Sequence, residues 1–406
     1  MKKTFFLMSL AVMGLTFNSC SDSDNNSSKD ITEDEAQNLD YTSENAAAWG
    51  NYAVNVARLL ANDSKELYNK WANEYADGFK NHDRSITGYS TAIECVEEII
   101  EGSIDIASEV GTQKIGEPVG YWNNGQRTKA LYAVESWYSF HSREDYMNNI
   151  LSIANAFLGV CIDIDNNVPL TDSDKQKAAA NSIYTKGMAN SELAAHTAAI
   201  WDNIVATHNA IYNIPNPFRN NIGSTQAIAA MDACAALTKS LENLEALIEE
   251  RKMSEADAQA VVEQFVDVVV MPTYKSLVEK NRALQTAVNA FEKSPSNATF
   301  EAACNAWMAA RKPWESSEAF LFGPVAELGL DPNMDSWPLD AVGIANLLKS
   351  QKWNEMEWTG EYEEPDEDDP DNSTAQAKAI EAAQALRGYH TLEYLLFKNG
   401  KPRTVK

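Results

Sequence analysis

The sequence predicts an all-α fold built of helical bundles. Three observations carry this. Nearly every long segment repeats its apolar residues at three- and four-residue spacing, the mark of a helix with one buried face. Sustained alternation of period two, which a half-buried strand needs, is missing. Gly and Pro are sparse, 18 and 13 in 406 residues, while 44% of the chain is hydrophobic. That length exceeds one ordinary core, so two domains are the natural division.

The chain begins with Lys2 and Lys3 and then an apolar run over 5–17, too short to span a bilayer comfortably. Asn18-Ser19-Cys20 and a polar stretch follow. Residues 1–19 read as a secretory signal. Ser19-Cys20 loosely resembles a bacterial lipobox, with Phe17 where Leu is usual. Cys20 would then carry the lipid that ties the chain to the outer membrane. An ordinary signal peptide with a chance Cys is the alternative. Residues 20–40 are polar and acidic and predict a flexible tether. Their "SDSDNN" start resembles surface-export signals of some Gram-negative lipoproteins, so the periplasmic and cell-surface faces both stay open.

The first bundle is predicted over 41–250 and the second over 251–406. Val56, Leu59, Leu60, Leu67, Trp71 and Tyr75 form one apolar stripe. Ile228, Met231, Leu237, Leu241, Leu244 and Ile248 form another, and Val270, Tyr274, Leu277, Leu284, Val288 and Phe291 a third. Breaks stand at "YNIPNPFRNNIGS" (212–224), at "ERKMSEAD" (250–257), where Ser254 is placed to cap a helix, and at "EKSPSNATFEAA" (292–303). Residues 321–340, with Gly and Pro throughout, predict an ordered loop. Residues 359–374 hold eight acidic groups and two prolines. They read as a solvated loop, because the ligand spacing and Gly of an EF-hand are missing.

Without Lys2 and Lys3 the chain has 31 basic and 59 acidic residues, a net charge of −28. Such a surface repels nucleic acid and anionic lipid and attracts cations, without itself being a site. Cys95, Cys161, Cys234 and Cys304 lack C-x-x-C spacing and lie in apolar helical stretches, so buried thiols are expected.

Chemistry concentrates in two stretches. In "GYHTLEYLLF" (388–397), His390 and Glu393 lie one helical turn apart on one face, and an imidazole and a carboxylate so placed can share a metal ion. Gly388 lets another backbone or a ligand come close. The spacing by itself is weak, since His141 and Glu144 repeat it. In "CNAWMAARKPWESSEAFLFGPV" (304–325), Trp307, Arg311, Trp314 and Glu318 share a helix face. A solvated face seldom carries two Trp, and a core face seldom carries Arg and Glu. Either Arg311 and Glu318 form an internal ion pair, or they line a pocket whose carboxylate joins His390 and Glu393.

Together with "DPNMDSWPLD" (331–340), these stretches resemble the imelysin family. Gly388, His390 and Glu393 fit its G-x-H-x-x-E signature. Family members usually start with a helix like 268–291, reach the signature near mid-chain, and continue with segments like 52–79, 135–159 and 211–223. Here those later segments come first, which looks like a circular permutation. The resemblance implies two bundles with a pocket between them. His390, Glu393 and Glu318 would be metal ligands, with Arg311, Trp314 and Gly388 in the same pocket. Trp337 and Asp340 would border it, and Glu135 and Asp145 would face it from the other half.

The resemblance implies two functions, and the Arg311 and Trp314 side chains suggest a third. The first is a lipid-anchored protein binding a divalent metal, Fe or Zn, and working with an iron-uptake system. The second is a zinc-type metallopeptidase, although H-E-x-x-H is missing and no separate base is evident. The third is a metal-free module binding a small molecule or peptide through Arg311 and Trp314.

Overall fold

The computed structural model describes residues 31–164, 168–365 and 372–406. The signal segment and Cys20 lie outside these residues. The described chain is helical almost throughout. Its strands are the two-residue pair Phe397–Lys398 and Lys401–Pro402.

The three apolar stripes become the inward faces of long helices. Every member of the first and third is buried, because each recurs on one side of Ala46–Lys70, or of Met271–Lys293, and the helical turns adjoining them. The second stripe drifts at its start. Ile228 is 43% exposed, and the inward positions there are Ala227, Ala230 and Cys234. Small residues let the Thr225–Glu249 helix approach its neighbours closely: a Cβ on Gly111 would stand 2.7 Å from Cys234 Cβ. Ser254 caps Glu255–Phe265 by accepting from Asp257 N at 3.1 Å, and Ser296 caps Asn297–Glu315 by accepting from Thr299 N at 3.2 Å. The 321–340 loop carries two short helices, Pro324–Glu327 and Leu330–Asp335.

Packing divides the chain differently from the expected break at 250. One bundle unites Ala46–Lys70 from the start of the chain with Met271–Lys293, Asn297–Glu315 and Gly388–Leu396 from its end. The other holds Ala92–Glu109, Ser142–Leu158, Ala194–Tyr212 and Thr225–Glu249. The stripe of Ala46–Lys70 is complementary to that of Met271–Lys293, so sequence neighbourhood loses to apolar matching.

Of the expected tether over 20–40, residues 20–30 lie outside the described residues and the remainder holds regular structure. Glu33–Gln37 is a helix with a capping box at Thr32, and Ala36 and Gln37 are buried. Tyr394 Oη donates to Ala36 O at 2.6 Å, and Arg403 Nη1 lies 2.9 Å from Asp40 Oδ1. These contacts bring the two ends of the described chain together. Of the cysteines, Cys95, Cys234 and Cys304 are buried, while Cys161 is exposed beyond the Gly159 helix end; none is in a disulfide.

Candidate metal centre

Arg311 organises the site. It lies on the inward face of Asn297–Glu315 and is fully buried. A guanidinium taken out of water needs ionised partners. Nη2 lies 3.0 Å from Glu135 Oε1 and 2.6 Å from Glu315 Oε1, and Nε lies 3.5 Å from Asp145 Oδ2. Nη1 donates to Asp335 Oδ1. Glu135 and Asp145 come from the other bundle's side of the seam, so one cation joins both.

His390 stands in the same cluster. Nε2 lies 3.1 Å from Asp335 Oδ1 and 3.3 Å from Glu135 Oε1. The three ligand atoms of Glu135, Asp335 and His390 lie within 4.8 Å of one another. Ligands about 2.0–2.1 Å from a tetrahedral ion stand roughly 3.3 Å apart, so these residues fit a shared metal. Trp337 packs edge-on to the imidazole, with centroids 4.8 Å apart.

The sequence-assigned residues sort as follows. His390 faces the centre. Glu393 does not: its Oε2 lies 3.2 Å from His390 Nδ1, and its Oε1 accepts from Ser139 N and Oγ at 2.7 and 2.6 Å. It orients the ring from behind, because one turn along the helix puts it on the far nitrogen. Glu318 lines the adjoining cavity and clusters with Glu315 and Asp335, not with His390. Trp314 donates from Nε1 to Asp335 Oδ2 at 2.6 Å. Gly388 has φ of +90°, and a Cβ there would meet Met334 O at 2.6 Å, so the close approach is that of the backbone carrying Asp335. Asp340 is not in the pocket. It is exposed and caps Ala341–Ser350 by accepting from Gly343 N at 2.8 Å.

Three members were not singled out in the sequence. Asp335 was legible only as half of an acidic pair, Asp331 and Asp335, one turn apart. Glu315 stands four residues after Arg311. Lys114, 3.3 Å from Glu135 Oε2, ends the π-helical turn Val110–Lys114, which no local pattern announces.

Charge is unbalanced here. Burial pushes the Glu135 carboxyl up, but Lys114, His390 and Arg311 overcome it and hold it at about 2. Burial likewise opposes Asp335, yet Arg311 and His390 keep it well below the usual carboxylate range. Burial and Arg311 lower His390, and Asp335 and Glu135 more than reverse this. Asp145 goes up to about 7, since burial outweighs Arg311. Burial also holds Glu315 and Glu318 well above the usual range, despite Arg311 and Lys114. Arg311, Lys114 and His390 together leave Asp145, Glu315 and Glu318 lifted, so a further cation beside these three acids would be stabilised.

Fold and site define an all-α protein of two bundles, with a buried carboxylate–imidazole–guanidinium cluster where they meet. The imelysin (peptidase M75) family model matches residues 24–244 and 270–405, and the chain belongs to the imelysin family. It is similar to the crystal structure of an imelysin peptidase from Bacteroides ovatus, with 48% identity and a TM-score of 0.81 over 91% of this chain and 100% of that one. It is also 32% identical over 142 residues to iron-regulated protein A of Synechococcus elongatus. That match spans 35% of this chain and 32% of the relative's length.

Proposed function

We propose that this protein is an exported, lipid-anchored imelysin that binds a divalent transition metal, iron foremost, in the service of an iron-uptake system. Glu135, Asp335 and His390 would hold the ion. The observation that supports this most is their convergence from three distant segments, at ligand-like separations, in a cluster with surplus negative charge. Mixed imidazole and carboxylate donors suit Fe(II) or Zn(II). Glu393 would fix the imidazole from its Nδ1 side, Trp314 would hold Asp335, and Arg311 would tie the two bundles to the ligands. The name of the Synechococcus relative motivates iron as the first metal to test. The permuted order is part of this reading, supported by the adjacency of the chain ends.

The test is anaerobic calorimetric titration of the metal-stripped protein with Fe(II) and then Zn(II). Saturable 1:1 binding that His390→Ala and Glu135→Gln abolish is expected. Binding that is absent, or unaltered in both variants, would leave an ion-pair cluster and sink the metal reading.

A metallopeptidase is the second reading. Glu318, near Asp335 and with its carboxyl pushed up by burial, favours it as a proton-transfer group. Absence of peptide cleavage by the Zn-loaded protein would remove it.

A further inference from the structure

A cavity of 420 Å³ opens from the inner cluster, within the size range of small-ligand sites. Its wall includes one whole face of the Ala92–Glu109 helix, from Glu98 to Glu109. The eleven helical steps between them make a trough about 16 Å long. The inner end holds Lys114, 3.5 Å from Glu109, beside Glu135 and Asp335. Gly102 sits midway. A Cβ there would stand 2.4 Å from Ala319 O, so this glycine lets the helix lie against the segment carrying Glu318.

The lining is unlike that of a metal site. Among the described residues it includes ten acidic side chains and one basic one. Only the innermost converge on a point; the others are strung along the trough and cannot meet one ion. Between them stand Ile106, Leu321 and Phe322, and the Tyr75 ring. Two of the acids lack partners. Buried Glu318, 8% exposed, and half-buried Asp331 make no hydrogen bond and no ion pair among the described residues, and both line the cavity. A desolvated carboxylate without a donor is costly, and a cationic donor entering the cavity removes that cost.

We propose that this cavity binds a linear aliphatic polyamine, whose ammonium groups meet the spaced carboxylates while its methylene segments lie on the apolar strips. Aromatic faces such as Tyr75 favour an ammonium too. The inference goes beyond the metal reading and does not rest on it; the two share only the inner end, at Glu135 and Asp335.

Calorimetric titration of the metal-stripped protein with spermidine, 1,4-diaminobutane, butylamine and Mg²⁺, at physiological salt, tests it. Saturable 1:1 binding is expected, with affinity rising at least tenfold from butylamine to spermidine. Asp105→Asn and Asp331→Asn should each weaken spermidine about tenfold. Both variants replace desolvated carboxylates, so their melting temperatures should hold or rise. His390→Ala should keep spermidine binding. Absence of saturable heat would overturn the proposal. So would equal affinity for Mg²⁺ and spermidine that Asp105→Asn leaves unchanged, since that is a diffuse field.

Discussion

His390 Nε2 and Asp335 Oδ1 lie 3.1 Å apart, although one opens the last long helix and the other ends a six-residue helix in the 321–340 loop. The same oxygen accepts from Arg311, and the other carboxylate oxygen accepts from Trp314 at 2.6 Å. Asp335 is thus held from two sides while facing the imidazole. Asp335→Asn keeps the shape and removes the charge. We expect Fe(II) affinity to fall by about 100-fold or more, about 2.7 kcal/mol, with the far-UV spectrum unchanged. Titration of wild type and variant side by side decides it; equal affinities would exclude Asp335 as a ligand.

Trp314→Phe separates positioning from ligation. The ring is fully buried, and Phe retains much of its bulk while losing the donor to Asp335. Partners behind metal ligands typically control affinity by 10–100-fold. Metal affinity should drop by about tenfold, and stability by roughly 1–3 kcal/mol from the lost donor to Asp335 Oδ2 and lost packing. A stability loss with unchanged affinity would make Trp314 a core residue only.

Gly388 is needed twice over. Its φ of +90° strains any L side chain, and a Cβ would press on Met334 O at 2.6 Å. Gly388→Ala should therefore push the Leu330–Asp335 helix away from His390. A loss above about 2 kcal/mol is expected in denaturant unfolding. Metal affinity should weaken as well, since Asp335 moves with that helix. An Ala variant as stable as wild type would contradict the close approach.

How legible was this in the sequence? Period-3.6 stripes mark the helices, because each has one face to bury, and Ser254 marks the start of one of them. The G-x-H-x-x-E stretch and the Trp/Arg/Glu stretch contained His390, Arg311 and Trp314. Asp335 stayed hidden because a six-residue helix has too few turns to show a period. Lys114 stayed hidden because a π-helical turn shifts its side chain out of the α pattern. The spacing of His390 and Glu393 shows a shared helix face but not which imidazole nitrogen the carboxylate meets, and in the structure it meets Nδ1. Linear order says nothing of which apolar faces pair, and Ala46–Lys70 pairs with Met271–Lys293 across the chain.

Glu393 supplies a prediction of its own. It lies behind the ring and takes two bonds from Ser139, a position that fixes the orientation of His390 from its Nδ1 side. Glu393→Gln should cut metal affinity by about 10–100-fold, where His390→Ala abolishes binding. Equal and complete loss in both would restore Glu393 as a direct ligand.

The acidic seam between Ala92–Glu109 and Thr225–Glu249 makes stability depend on pH. Burial lifts the Glu245 carboxyl to about 7, and Glu101, Glu249, Glu97 and Asp105 add to the rise. An unfolded Glu titrates near 4.3. The folded state thus binds this proton more tightly, so the contribution is fully present below about pH 4 and is lost as pH rises through about 7. Asp105, lifted to about 6 by burial and by Glu101 and Glu109, acts in the same direction. Glu135, held at about 2, acts oppositely, but its loss falls below the unfolded value, outside this window. The melting temperature should therefore fall between pH 5 and pH 8. Glu245→Gln cannot ionise and should melt higher than wild type at pH 8, by a modest margin because Glu245 is half exposed to screening solvent. At pH 5 wild-type Glu245 is itself protonated, so the two curves should converge. A gap that stays constant from pH 5 to pH 8 would assign the effect to packing instead of charge.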